Sequence, residues 1–444
     1  MQLIGNGRMI TRDAAQPFFE NGAVAFDGSR IVAVGETSAL RATYADAEFI
    51  DARGGVIMPG LINMHNHIYS AFARGLSLKG KGPNKNFLEI LENQWWHIDR
   101  HLSLEDNYWS AVATYIDCIK SGVTTIFDHH ASFGSITGSL GEIARAATEY
   151  GVRSCLCYEI SDRDGEEKAR ESIDENVAFI NETNKIGGNH LKGMMGMHAS
   201  FTISDRTMER CRELLPDGAG YHIHVAEGLD DVYDSLHKYG KRVINRLYDW
   251  DILGKKTITA HCIHINSIEM DLLHDTGTMV VHNPESNMGN AVGCPPVLEL
   301  MHRDILLGLG TDGYTNDMTE SYKVANILHK HNLGDPSVAW GEIPQALFEN
   351  NPVMANRYFD IPLGSLQEGA AADIIVADYD PLTPMNGDNC NSHILFGMNG
   401  RHISTTIIDG DVKMKDRELI GIDEAQIMAN VRQQAQSFWT RVNS

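Results

Sequence analysis

The sequence predicts an α/β protein: a (β/α)8 TIM barrel carrying a small β-sandwich built from both chain ends. Eight short apolar segments, at 61–67, 123–128, 154–160, 191–198, 221–225, 257–261, 279–282 and 305–312, alternate with helical patterns such as 107–120, 143–150, 205–215 and 232–248. Near-continuous apolar runs are how parallel strands buried on both faces read. Eight βα units over roughly 300 residues suit a barrel with insertions. On either side the texture changes to short alternating strands and turns. An open doubly wound sheet is the structural alternative, but no glycine-rich dinucleotide fingerprint follows any of the segments.

The chain starts all-β. Gly22–Phe26, the turn dipeptide Asp27-Gly28 and Arg30–Val34 read as a hairpin, and 49–51 and 55–58 add short strands. The barrel is expected over 59–362, between sandwich portions at 1–58 and 363–444. In the last portion 372–378 reads as a strand, 402–408 and 412–414 as a second hairpin, and 423–442 as a closing helix.

Composition narrows the function classes. A formal net charge of −22 disfavours nucleic acid and anionic membrane as partners, since both need basic patches. The opening Met-Gln-Leu-Ile-Gly-Asn-Gly is too short and polar for a signal h-region, and no apolar run reaches the ~20 residues of a membrane span. Seven scattered cysteines without a Cys-x-x-Cys pair point to reduced thiols and a cytoplasmic protein. Cys155 and Cys157 alternate on one segment and read as packing residues.

The chemistry lies at the segment ends, where a barrel keeps its function. The first segment ends in His65 and His67, two residues apart and therefore on one face of a strand. The second ends in Asp128-His129-His130, the fourth in His198. The fifth holds His222 and His224 with Glu227 just beyond; the sixth ends in His261, the seventh in His282-Asn283-Pro284, the eighth in Asp312. A single histidine is more often a hydrogen-bonded core residue than a ligand. Here many of the 20 histidines gather at one rim, and imidazoles aimed at one point are the makings of a metal site.

Pro59-Gly60-Leu61-Ile62-Asn63-Met64-His65-Asn66-His67, Tyr221-His222-Ile223-His224-Val225-Ala226-Glu227, Ala260-His261-Cys262, His282-Asn283-Pro284-Glu285-Ser286-Asn287 and Leu309-Gly310-Thr311-Asp312-Gly313 resemble, in this order, the amidohydrolase superfamily. The branch they resemble holds cytosine, guanine and S-adenosylhomocysteine deaminases and triazine hydrolases. Asp128-His129-His130-Ala131-Ser132 and Tyr158–Arg163 further resemble selenium-associated aminohydrolases of the SsnA type.

The resemblance implies that His65, His67, His224 and Asp312 ligate one divalent metal, zinc first and iron second. Three imidazoles and a carboxylate with a position left for water form a catalytic coordination set. Binuclear members carry a carboxylated lysine at the end of strand 4; here His198 stands there and Lys192 lies at the strand's start, so one metal is expected. His222 competes with His224 for the ligand role; the His-x-x-Glu spacing selects His224. The implied activity is hydrolytic deamination of a purine-, pterin- or pyrimidine-like heterocycle by a metal-activated hydroxide. Glu227 would protonate a ring nitrogen, Asp312 would carry the water proton to departing ammonia, and His261 would hold the hydroxide or oxyanion in line. The plainer reading of Glu227 is a helix N-terminal carboxylate, that of Asp312 a turn residue before Gly313. Hydrolytic opening of a cyclic amide or amidine is the alternative reaction, and a catalytically silent scaffold the alternative of another class.

Expected substrate contacts are His198, Arg74, Arg163, Glu159 and His129. Arg163 would clamp an anionic group or is a surface arginine. Phe201 replaces the tyrosine of the family's His-Ala-Pro-Tyr-Thr segment, removing a hydroxyl. Trp95-Trp96 line an aromatic mouth or anchor a helix. A homodimer or larger homo-oligomer is implied, with a small-molecule substrate.

Overall fold

A computed structural model describes residues 1–80 and 82–444. Eight parallel strands form its centre: β1 (Leu61–Asn66), β2 (Val123–His130), β3 (Arg153–Tyr158), β4 (Met195–Ala199), β5 (Tyr221–Val225), β6 (Ile258–His261), β7 (Met279–His282) and β8 (Leu307–Leu309). Hydrogen bonding links β1 to β3 in one arc and β4 to β8 in another. Two parallel bridges join the arcs, Ile160 to Met197 at one seam and Asn66 to Asp312 at the other, so the ring runs from β1 round to β8 and back. Every residue of these strands is buried, which is why their sequences carry no alternation.

Three expected elements differ in detail. The segment at 191–198 is two strands: Leu191–Gly193 pairs with β3, and β4 pairs with β5. β2 runs on through His130, carrying His129 and His130 inside the barrel. The helical pattern at 232–248 is two helices, Leu229–Tyr239 and Val243–Asp249; Gly240, at φ 66°, takes the left-handed conformation that ends a helix and suits glycine.

Both chain ends enter one nine-stranded sheet. The Asp27-Gly28 hairpin is present between Phe18–Asp27 and Arg30–Glu36, and the second between Ile403–Ile408 and Asp411–Lys415. Val56–Pro59 pairs antiparallel with Ile374–Ala377, setting Ile375 opposite Met58. Ile4, Val24, Phe26 and Ile31 from the first part of the chain share one core with Ile374, Val376 and Ile407 from the last. From Val56–Pro59 the chain passes through Gly60 straight into β1, so the terminal sheet is the foundation of the strand that carries His65.

The closing helix, Glu424–Val442, starts on an Asp423 cap and lies against the helix Leu104–Ser121. Its Trp439 Nε1 donates to the Phe72 carbonyl at 2.7 Å, in the turn Ile68–Ala73 that follows His67. Among the described residues no helix is long and apolar enough to cross a membrane.

Candidate metal centre and active site

β1 and β5 place His65, His67 and His224 so that one nitrogen of each lies within 4.8 Å of the others; His65, His261 and Asp312 meet the same criterion. Strand periodicity accounts for the first two. Asp312 arrives differently. The His65 carbonyl accepts from the Thr311 and Asp312 amides at 3.0 and 2.9 Å, and Asn66 Nδ2 donates to Thr311 Oγ1 and the Asp312 carbonyl at 2.9 and 3.1 Å. β1 thus holds the end of β8 across the second seam. The residues 308–313 spell Gly-x-Gly-x-x-Gly, but they lie in and just beyond β8, with no helix before Met318. A Cβ on Gly310 would sit 2.6 Å from Asn283 Oδ1 and 2.8 Å from His65 Cβ, so this glycine serves close approach. Ala226, His261, Cys262 and Asp312 all adopt positive φ, from 48° to 72°. Such backbone persists only where the surroundings over-determine it, and here four instances crowd one rim.

The hydrogen bonds behind the imidazoles fix their protons. His67 Nδ1 lies 2.5 Å from the His129 carbonyl, and His224 Nδ1 2.9 Å from the His198 carbonyl. A carbonyl only accepts, so each Nδ1 carries the hydrogen and each Nε2 presents a lone pair. Those two Nε2 atoms are 3.2 Å apart. Two lone pairs at that distance repel, and the arrangement is stable around a shared electrophile. His65 Nε2 and His261 Nε2 are buried without a hydrogen-bond partner, while Asp312 Oδ1 lies 3.4 Å from His67 Nε2 and Oδ2 3.4 Å from His261 Nε2. This donor set fits one divalent cation with N and O ligands. His222 stands behind it: its Nε2 is 2.8 Å from His65 Nδ1, the place of an orienting partner.

The two carboxyls at the centre are pushed in opposite directions. Burial, then the neighbouring Asp312 charge, raises Glu227 well above the ordinary carboxylate range. Burial acts on Asp312 in the same sense, but His67, His261, Ser286 and the Gly313 amide together hold it below its ordinary value. A carboxylic acid and a carboxylate side by side are the makings of an acid–base pair. His261 Nε2 lies between them, 3.5 Å from Glu227 Oε2.

An inner cavity lined by Tyr69, Trp95, Trp96, Glu159, His198 and Glu227 leads to this centre, and an outer chamber of about 360 Å³ opens beyond it past Ser70, Arg74, Tyr314 and Asn316. His198 Nδ1 bonds Thr202 Oγ1 at 2.7 Å, and that hydroxyl donates to the Ala199 carbonyl, so His198 Nε2 is an acceptor. His129 Nε2 reaches the Met197 and His222 carbonyls at 3.0 and 3.2 Å, turning Nδ1 towards Glu159 at 3.7 Å. Burial lifts Glu159 to about 8. The remaining two expected contacts are occupied or distant. Arg163 is buried, paired with Asp99 at 2.5 Å and Glu159 at 3.5 Å, and stacked 3.9 Å from the Phe133 ring centroid; its charge is matched within the protein. Arg74 is exposed in the outer chamber, 3.5 Å from Asp117. Both Trp95 and Trp96 line the inner cavity. Sequence reasoning passed over Asn66, Tyr69, Asp99 and Asn290, whose Nδ2 reaches Glu227 Oε1 at 3.4 Å. Asn66, between His65 and His67, carried a usable signal; Asp99, at the end of the short helix Trp96–Asp99, and Asn290, capping Pro284–Gly289, carried none.

A parallel barrel with a histidine–carboxylate centre at the C-terminal ends of its strands defines a metal-dependent hydrolase class. The model of the Amidohydrolase family matches residues 56–413, and the chain belongs to that family. A short match at residues 22–47 is to the bacterial imidazolonepropionase-like composite domain. Relatives include the 5′-deoxyadenosine deaminase of Methanosarcina barkeri, 29% identical over 450 residues and covering 100% of this chain and 99% of the relative. The 5-methylthioadenosine/S-adenosylhomocysteine deaminase of Pelotomaculum thermopropionicum is 30% identical over 441 residues, 98% of each chain. Among solved structures, a zinc-bound adenosine deaminase from Xanthomonas campestris superposes with a TM-score of 0.83 at 23% identity, over 99% of this chain and 98% of the other. Atrazine chlorohydrolase TrzN from Arthrobacter aurescens, complexed with zinc, gives 0.83 at 23%, over 98% and 100%. These structural likenesses establish the fold.

Proposed function

We propose that the protein is a zinc-dependent aminohydrolase that removes the exocyclic amino group of a nitrogen heterocycle, an adenine nucleoside first among candidates. The observation that carries this reading is the convergence of His65, His67, His224 and Asp312 on one point, with Glu227 and His261 beside it. The names of the relatives, deaminases of 5′-deoxyadenosine, 5-methylthioadenosine and S-adenosylhomocysteine, support the substrate class.

His65, His67, His224 and Asp312 would hold the metal. Bound zinc lowers the pKa of water to ~7 and so supplies a nucleophile at neutral pH. Glu227, protonated in its buried setting, gives its proton to the ring nitrogen next to the attacked carbon as that nitrogen gains basicity. Asp312, ionised, takes the proton released from water and hands it to departing ammonia. His261 Nε2, a lone pair, steadies the reacting hydroxyl as an acceptor. His198 Nε2, an acceptor, faces the cavity where it would take a hydrogen from a substrate N–H or O–H, and Tyr69, Trp95 and Trp96 enclose the ring's faces.

The test is ammonia release from the zinc-loaded protein over adenine nucleosides, guanine, pterins and pyrimidines. Turnover on a member of this panel is expected, with Glu227→Gln lowering kcat by ~10²–10⁴-fold. A new carboxylate without ammonia would move the reaction to ring opening, and no turnover sensitive to Glu227→Gln would remove the hydrolase reading. We also propose a cytoplasmic protein, supported by seven free cysteines, a homodimer or larger assembly, supported by the family resemblance, and barrel boundaries at 59 and 362, supported by the passage from Val56–Pro59 into β1.

A further inference from the structure

Behind His261 runs a line of buried polar groups that the reaction above does not use. His261 Nδ1 lies 2.8 Å from Asn287 Oδ1. Asn287 Nδ2 is 3.3 Å from His282 Nδ1, His282 Nε2 is 3.2 Å from His329 Nε2, and His329 Nδ1 is 3.5 Å from Cys294 Sγ. His261, Asn287 and His282 are 0% exposed and His329 2%, so no solvent substitutes for a missing partner. Burial lowers His282 well below the ordinary histidine range and His329 to about 4, and raises the Cys294 thiol to about 11. Each of these rings therefore carries one proton, and the sulfur keeps its own.

With one proton per ring, the links of the line share one direction, and Asn287 Oδ1 facing His261 Nδ1 gives it. The Cys294 thiol reaches both the Pro295 carbonyl at 3.7 Å and His329 Nδ1 at 3.5 Å; donated to the carbonyl, its hydrogen leaves Sγ as the acceptor for His329 Nδ1–H, the sense that agrees with Asn287 Oδ1 facing His261 Nδ1. His329 Nε2 is then an acceptor and takes the hydrogen of His282 Nε2. His282 Nδ1 accepts from Asn287 Nδ2, which turns Asn287 Oδ1 towards His261 Nδ1–H. Reversing any one link alone sets two hydrogens or two lone pairs against each other in a dry interior, where unsatisfied polar groups are least tolerated; reversing all of them with the Asn287 amide turned over gives the other His261 tautomer, so the line holds one tautomer as a unit. His67 and His224 need no such line, because main-chain carbonyls hold their Nδ1 hydrogens.

We propose that Asn287, His282, His329 and Cys294 form a positioning chain that fixes His261 as the Nδ1–H tautomer, so that its Nε2 meets the reacting centre as an acceptor. The inference rests on the hydrolytic reading for its purpose but not for its geometry. Asn287 touches His261 directly; His282, His329 and Cys294 act through it.

The direct test is ¹⁵N NMR of ring nitrogens in histidine-labelled, zinc-replete protein, with the His261 signals assigned by their loss in His261→Asn. The wild type is expected to show a protonated Nδ1 and an unprotonated Nε2 at His261. Asn287→Leu and His329→Leu are expected to give a mixture of tautomers and a ~10-fold lower kcat at unchanged KM, within the range for lost orienting partners. Asn287→Asp is expected to restore both, since a carboxylate still accepts from Nδ1–H. If a leucine variant fails to fold, Cys294→Ala, at the far end of the line, carries the same expectation for the tautomer. The proposal is overturned if His261 keeps one tautomer in every variant, or if wild-type Nε2 is protonated. Absence of hydrolysis by the wild type would defeat the functional reading while leaving the NMR outcome to decide the chain.

Discussion

Two groups of histidines share the rim of this barrel and are held by different means. On the β1–β5 side, His67 and His224 are gripped by the carbonyls of His129 and His198, which no substitution of a side chain removes. On the β6–β7 side, His261 is gripped by the Asn287 amide, and beyond it by three further side chains. Main-chain clamps persist as long as the strands pair; side-chain clamps can be lost one residue at a time. His67 and His224 are thereby protected by the fold itself, whereas His65, held by His222, and His261, held by Asn287, are open to adjustment by sequence.

That contrast can be broken most severely at a clamped imidazole. His67→Ala is expected to strip the metal and abolish turnover with little change in secondary structure, read by metal analysis and circular dichroism; full zinc content in this variant would refute the ligand assignment. A sharper comparison comes from His65, whose Nδ1 faces a side chain, His222, at 2.8 Å. His222→Leu should weaken zinc affinity ~10–100-fold, measured by competition with a chelator, while activity at saturating zinc is largely kept. Unchanged affinity would mean that His65 needs no partner. The last test reads stability rather than activity and concerns Asp128, whose Oδ1 accepts from the Ile68 amide just after His67 at 2.7 Å. Burial raises Asp128 from 3.8 to about 8, so the folded protein keeps a proton that the unfolded chain releases. Stability from this group is complete below about pH 4 and falls by ~1.4 kcal/mol per pH unit until about pH 8. Asp128→Asn should flatten that decline in urea unfolding between about pH 5 and 8; an unaltered slope would place the titration elsewhere.

The barrel and its strand-end histidines were legible because strands impose a period of two and a barrel gathers their ends. The convergence of His65 and His67 follows from that; separating His224 from His222, on the same face, needed the His-x-x-Glu spacing. Asp312 needed the motif, since β8 stops at Leu309 and the carboxylate is carried the rest of the way by hydrogen bonds from β1. Arg163 was visible as a charge, but its partner Asp99 lies in the short helix Trp96–Asp99, where nothing in the sequence marks it as facing β3. His329 was hidden for the same reason: it sits in a long helix, and only the fold brings it to His282.

The pairing of Val56–Pro59 with Ile374–Ala377 has a consequence for biosynthesis. During translation the strand bearing His65 and His67 leaves the ribosome early, yet one of the two neighbours that secure its base emerges after all eight barrel strands. Until then Val56–Pro59 pairs only with Gln2–Ile10 on its other side, and the chain is at the length where partly folded intermediates become common. The groups that converge on the metal centre run from His65 to Asp312, so the complete donor set exists only after the last barrel strand has been made.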